Sequence, residues 1–417
     1  MVMHGGGHKE LFNVLTPRDA FARLAPYLHG PRRVERVQTS AALGRVLAED
    51  LNAPGSLPTF RRSTMDGFAV RAGDTYGASE GLPAYLTVVD EVLMGRPAGR
   101  DPRTGETVRI ATGGMVPDAA DAVVMVEHTQ DVDASTIEVL RPVAPGEHVI
   151  QVGEDVRTGD ALLAAGHQLR PQDIGGLLAL GIVQVAVAAR LTVGIISGGD
   201  EIVPPDAEPG PGQIRDINSY TIAALVERAG HTPVIMGVVP DIYEQLEQAA
   251  RDALRQVDVL ILSAGSSVST RDMTAQVIAA LGTPGILVHG VSLKPGKPTI
   301  LAMIDDTPVF GLPGNPVSCM VTFDLFVAPT LHRLAGRTPG EYRQSVAARL
   351  TRNVASAPGR EDYFQVRVEQ RPDGLWAEPV FGKSNLIYTL VKSDGMVRID
   401  LDTSGLTEGC WVQVILF

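Results

Sequence analysis

The residues best suited to chemistry gather in a few glycine-rich stretches between positions 197 and 318. Ser197-Gly198-Gly199-Asp200-Glu201, Ser263-Ala264-Gly265-Ser266-Ser267 and Gly311-Leu312-Pro313-Gly314-Asn315-Pro316-Val317-Ser318 each follow a short apolar run. Lys294-Pro295-Gly296-Lys297-Pro298 adds two cations within a stiff turn. Small residues let backbone N–H groups approach an oxyanion, and a helix starting at such a loop adds the positive end of its dipole. A single loop of this kind is usually just a turn; several in one stretch of chain point to an anion site. The same loops carry Asp200, Glu201, Asp241 and Asp272, which repel a phosphate unless a cation intervenes. An all-oxygen donor set favours Mg²⁺ over zinc or copper, with substrate phosphates completing the shell. The plainer alternative is that Asp200 caps a turn and Asp272 a helix.

These loops need elements to hold them. From Arg190 onward strand-like and helix-like runs alternate: Val193 to Ile196, a helix around Ile222 to Ala229, Pro233 to Val238, a helix from Tyr243 to Leu254, Val257 to Leu262, a helix from Met273 to Leu281, Val309 to Phe310, and a helix ending near Leu334. Such alternation predicts a mostly parallel, doubly wound sheet, in which ligands bind beyond the carboxyl ends of the strands. Thr16 to Leu28 reads as a capped helix with Pro17 at its first position, and a second helix-like piece ends near Leu47. Between Leu51 and Gly153 short β-type runs dominate, Gln172 to Leu180 reads as helix and Ile182 to Val187 as strand, and from Arg337 the pattern is β again.

With 417 residues several domains are expected, and the formal net charge of -12, without a Lys/Arg run, argues against nucleic acid as the main partner. Cys319 and Cys410 make no disulfide framework, and with no apolar leader at the start the expected compartment is the cytoplasm. Cys319 reads as a small buried hydrophobe. The apolar stretch Leu177 to Ile196 is not read as a membrane span, because Gly181 interrupts it and Gln184 and Arg190 would lie in hydrocarbon.

Two further motifs lie in the β-rich part: Met65-Asp66-Gly67-Phe68-Ala69-Val70, and Ala111-Thr112-Gly113-Gly114. On spacing alone both are ordinary turns. Together with Asp121-Ala122-Val123-Val124-Met125, Gly153-Glu154-Asp155, Gly212-Gln213-Ile214 with Asp216 and Asn218, and the loops above, they resemble the molybdopterin molybdenumtransferase family, the MoeA and gephyrin E-domain proteins. The resemblance runs from about Leu11 to the C-terminus, in the family's order.

That resemblance implies an α/β and β multidomain chain. On this sequence it sets a small linker domain at 30–52 plus 154–190, a β-rich domain at 53–153, a molybdopterin-adenylyltransferase-like α/β domain at 11–29 plus 191–336, and a β C-terminal domain at 337–417. It implies a Mg²⁺-assisted transferase that inserts molybdate into adenylylated molybdopterin, releasing AMP and molybdenum cofactor. It also implies a homodimer whose active site is shared between subunits, with Asp66 and Thr112 contributed in trans, and a molybdopterin adenylyltransferase as a possible partner. By position, Glu201, Asp241 and Asp272 match the acidic, metal-facing group and Asp155 a further acidic position. Ser197, Lys294, Lys297, Pro298, Pro313, Pro316 and Ser318 match the molybdate and phosphate pocket, with Arg360 and Ser384 as oxyanion contacts from the C-terminal domain. Molybdate is a dianion, so Lys297 and Arg360 suit it as such side chains suit phosphate. The chain departs from the family's pattern at Ala264-Gly265, Ser269 and Gly290, where glycines or a lysine are usual. A non-catalytic pterin-binding or scaffolding paralogue and an adenylyltransferase activity within 191–336 are the alternatives.

Overall fold

The computed structural model describes residues 14–264, 268–338 and 343–417, the side chains of 264 and 268–272 excepted. Three six-stranded sheets organise it.

The α/β domain is built on a six-stranded sheet in the order Thr232–Val239, Thr192–Gly198, Val259–Ala264, Thr307–Pro313, Ile300–Ile304, Pro284–His289. The first four of these run parallel, so their carboxyl ends open on one edge. Ile300–Ile304 is antiparallel to both neighbours and closes a hairpin with Thr307–Pro313. Neither Ile300–Ile304 nor Pro284–His289 is readable in the sequence as a strand. Ile300–Ile304 is buried on both faces, so it lacks the alternation that marks a half-buried strand. Helices Asn218–Arg228, Tyr243–Leu254 and Val268–Leu281 cover the sheet, each where a helical period is expected. The last helical run, Pro316–Thr322, continues through a π-type segment, Phe323–Val327, into Ala328–Leu334. Helix Pro17–Leu24 is capped by Thr16, which accepts the Asp19 N–H at 3.1 Å. Its Ala20 and Leu24 enter the same apolar cluster as Val193, Ile195 and Phe310 of the sheet.

The β-rich region forms a second six-stranded sheet in the order Ala122–Met125, Gly67–Val70, Glu106–Ile110, Ala84–Val92, Thr136–Val139, Thr129–Asp131. Between these two lies a small unit in which Val34–Gln38 pairs antiparallel with Gln184–Ala188 and helix Pro171–Ala179 packs on top. The helix-like piece ending near Leu47 is not formed. Only a 3-10 turn, Thr39–Ala41, is present, followed by isolated bridges from Val46 to Gln168 and from Leu47 to Val187. The apolar residues there face the Gln184–Ala188 strand, and tertiary pairing overrides the helical spacing.

The C-terminal region closes into a barrel. Glu361–Arg371, Gly374–Pro379, Ser345–Leu350, Trp411–Leu416 and Gly395–Ile399 pair in succession, and the last pairs back onto the first. Closure leaves no free strand edge within the ring. The short strand Leu293–Lys294 of the α/β domain adds in parallel to Glu361–Arg371, so barrel and α/β domain share a ladder. No helix among the described residues is long and apolar enough to cross a membrane.

Candidate functional site

The carboxyl ends of the parallel strands are tied together by one side chain that the sequence reading quotes in a motif without giving it a role. Asn218, the first residue of helix Asn218–Arg228, donates from Nδ2 to Ser263 Oγ at 3.1 Å and to the Gly314 carbonyl at 2.7 Å. It therefore joins the end of strand Val259–Ala264 to the loop that follows Thr307–Pro313. Beside it Asp216, buried, accepts the Ser219 N–H at 3.1 Å and lies 3.5 Å from the Ser197 hydroxyl. The signal for both was the Asp-x-Asn spacing ahead of a helix, which reads at first as a simple cap.

Of the expected pocket residues, Ser197 and Ser318 are buried, and Pro313 and Pro316 are buried at the end of a strand and the start of a helix. They shape the floor of the loop cluster rather than its surface. Cys319 is buried beneath Ser263, and burial pushes its thiol up to about 12, so it is no nucleophile at neutral pH. Glu201 and Asp241, half-buried, sit on loops leaving the neighbouring parallel strands Thr192–Gly198 and Thr232–Val239. Those loops are fastened where the Asp241 N–H donates to Asp200 Oδ1 at 3.0 Å. Asp200 thus binds the adjacent loop instead of capping its own. The side chain of Asp272, like Ser269 and the Ala264-Gly265 pair, lies outside the described residues. A cavity of about 460 Å³ opens beside these loops, lined by Gly199, Asp200, Asp216, Tyr220 and Pro240 among others. A larger one, about 1200 Å³, lies between helix Asn218–Arg228 and the barrel, and contains none of the expected site residues.

The barrel brings a second set of groups. Lys294, exposed, pairs in register with Asp362, and Lys294 Nζ lies 3.5 Å from Asp362 Oδ2. Arg360 Nε donates to the other oxygen, Oδ1, at 2.8 Å. Asp362 is 5 % exposed and was not among the residues singled out from the sequence. The turn that carries Lys294 and Lys297 approaches the helical run so closely that a Cβ on Gly296 would lie 2.5 Å from Thr322 Cγ2, and glycine is required there. Pro298 is half-buried in the same turn. Ser384 reaches from the barrel side: its hydroxyl accepts from Asn315 Nδ2 at 3.0 Å and its carbonyl from the Val317 N–H at 3.1 Å. Gly290 donates its N–H to the Thr299 carbonyl at 2.9 Å, just ahead of this turn.

Asp66 and Thr112 form a pair of their own. Thr112 donates to Asp66 Oδ1 twice, from its backbone N–H at 2.7 Å and its hydroxyl at 2.8 Å, although the residues are far apart in sequence. These two donors, the backbone one first, hold the Asp66 carboxyl below its ordinary range. Gly67 follows because a Cβ there would lie 1.9 Å from the Val124 carbonyl oxygen in the neighbouring strand. Asp66 and Thr112 are both exposed. Asp155 is likewise exposed, on a turn whose backbone N–H donates to the Leu57 carbonyl at 3.0 Å. Within the chain, Lys294 and Arg360 meet at Asp362, and Asn218 ties Ser263 to Gly314.

Comparison with known proteins covers most of the chain. Residues 15–181 match the model of the MoeA N-terminal region (domain I and II), 194–333 that of a probable molybdopterin binding domain, and 347–417 that of the MoeA C-terminal region (domain IV). A putative molybdopterin biosynthesis protein of Methanocaldococcus jannaschii is 37 % identical over 95 % of each chain. The molybdopterin molybdenumtransferase of Bacillus subtilis is 33 % identical over 96 % of this chain and 94 % of its own. The crystal structure of the molybdopterin biosynthesis MoeA protein from Pyrococcus horikoshii OT3 superposes with a TM-score of 0.86 at 32 % identity, covering 97 % of this chain and 100 % of that one. With its three regions matched in this order, the chain belongs to the MoeA family of molybdopterin molybdenumtransferases.

Proposed function

We propose that this protein is a transferase that inserts molybdate into adenylylated molybdopterin, releasing AMP and the finished molybdenum cofactor. The observation that carries the reading is that the α/β sheet carries two differently charged regions, an acidic one on the loops after Thr192–Gly198 and Thr232–Val239 and a basic one where the barrel joins it. Glu201 and Asp241 stand on one side, and Lys294, Lys297, Arg360 and Ser384 gather where the barrel joins it. Cations on the barrel side suit a tetrahedral dianion, and small-residue loops tied by Asn218 suit the substrate's phosphates.

The acidic side fits a hard divalent cation by its chemistry: half-buried carboxylate oxygens on loops held together by the Asp241–Asp200 bond. Glu201, Asp241 and, by its place in the sequence, Asp272 are the residues that would hold Mg²⁺, with substrate oxygens completing the shell. When bound, the ion neutralises the pyrophosphate charge and makes AMP a better leaving group. The protein's own part is to hold the oxyanion against the pterin end, and Cys319, buried with its thiol pushed up by burial, is no nucleophile in it.

The site needs a further wall. The ionised Asp66 and the Thr112 bound to it, at the surface of the β-rich domain, suit a homodimer in which one subunit's β-rich domain closes the α/β loops of the other. The experiment is a turnover assay with adenylylated molybdopterin, Mg²⁺ and molybdate, following AMP. Pterin binding without AMP release would favour the scaffolding alternative.

A further inference from the structure

We propose that Asp362 is a positioning residue that couples Lys294 and Arg360 into a single oxyanion seat. The inference rests on the oxyanion reading of this edge and deepens it. Asp362 is 5 % exposed, and its two oxygens face different domains: Oδ1 takes Arg360 Nε at 2.8 Å, Oδ2 faces Lys294 Nζ at 3.5 Å. A buried carboxylate without partners is strongly unfavourable, so Asp362 draws both cations toward it.

The backbone leaves Asp362 no freedom to do otherwise. Its strand is paired on one side with Leu293–Lys294 and on the other with Ile399, and the Glu361 N–H donates to the Ser292 carbonyl at 2.9 Å. Lys294 is over half exposed, with a side-chain accessibility of 57 %, and Arg360 reaches 39 %, so each cation keeps a face open to a ligand while the other face is held.

Sharing one carboxylate makes the two cations compete for it. When Lys294 is removed, Asp362 is left to Arg360 alone and draws it from the ligand, so part of the contribution of Arg360 is lost with Lys294. The consequence is measurable as non-additivity. Molybdate binding to the full-length protein is measured by calorimetry for Lys294→Ala, Arg360→Ala and the double variant, then again on an Asp362→Asn background. With Asp362 present, the double variant is expected to weaken binding by about fivefold or more less than the product of the two single effects. In the Asp362→Asn background the effects are expected to multiply. Asp362→Glu, which keeps the charge, restores the coupling, and thermal unfolding of each variant identifies any that fail to fold. If Asp362→Asn does not fold, the Asp362 and Asp362→Glu cycles decide alone. Additive effects in the Asp362 protein overturn the proposal. Coupled binding without AMP release sustains it while removing the transferase reading, whereas no molybdate binding at all removes both.

Discussion

Replacing Asn218 by alanine tests whether the strand-end loops act as one cradle. Asn218 Nδ2 makes bonds of 3.1 Å to Ser263 Oγ and 2.7 Å to the Gly314 carbonyl, and alanine deletes both. Neutral bonds contribute about 0.5 to 1.5 kcal/mol each, so the folded state should lose about 1 to 3 kcal/mol, a few degrees in Tm for a domain of this size. Turnover should fall much further, by about a hundredfold, because a displacement of about 1 Å between reacting groups has that effect. Asn218→Asp is the sharper variant: it keeps the shape but turns a carboxylate oxygen toward the Gly314 carbonyl, and should lose at least as much. AMP release under single-turnover conditions, alongside thermal unfolding, separates the two effects. An Asn218→Ala protein that releases AMP at the wild-type rate refutes the cradle, however much stability it has lost.

Other consequences are equally direct. Thr112→Val removes one of the two donors that hold the Asp66 carboxyl low, so if ionised Asp66 is needed, the acid limb of the pH–rate profile should move up toward the ordinary carboxylate range. Mixing Asp66→Asn with Glu201→Gln subunits should restore about a quarter of the wild-type rate if the site is shared across a two-fold dimer, and nothing if each chain is self-sufficient. Gly296→Ala places a methyl 2.5 Å from Thr322 Cγ2 and should destabilise by about 1 to 3 kcal/mol while raising the molybdate concentration needed for half-maximal rate. Burial lowers His231 from 6.5 to about 4, and its Nδ1 accepts the Leu191 N–H at 3.3 Å, so the folded ring is neutral. The unfolded chain takes up the proton first, so stability should fall as pH drops below about 6.5 and level off below about 4, with a loss of about 2 kcal/mol by pH 5. Denaturant titrations at pH 7.5 and 5 measure this, and His231→Gln should remove its share of the difference, leaving that of His332, which burial lowers to about 3.

How much of this was legible in the sequence depends on the range of each interaction. The loops after Thr192–Gly198 and Thr307–Pro313 announce themselves because close backbone approach demands glycine and proline, a local requirement. The helices Tyr243–Leu254 and Pro17–Leu24 follow from a one-sided apolar period and a cap. Ile300–Ile304 shows no period because both its faces are covered, and the stretch before Leu47 shows a helical one that a partner strand overrides. Asp362 is invisible for a different reason. Nothing near it in sequence distinguishes it from a surface carboxylate; its role exists only once the barrel strand pairs with Leu293–Lys294. Asp66 and Thr112 were named through family resemblance, and their mutual bond, like the tie made by Asn218, emerges only from the folded chain.

The central claim is that this edge of the α/β sheet, closed by the barrel, inserts an oxyanion into a nucleotide-activated pterin. A single-turnover assay with adenylylated molybdopterin, Mg²⁺ and molybdate addresses it most directly, with AMP and cofactor followed together. The expected result is one AMP released per cofactor formed, abolished by Glu201→Gln and strongly slowed by Arg360→Ala. AMP release that continues unchanged in both variants, or cofactor that never forms, would contradict it.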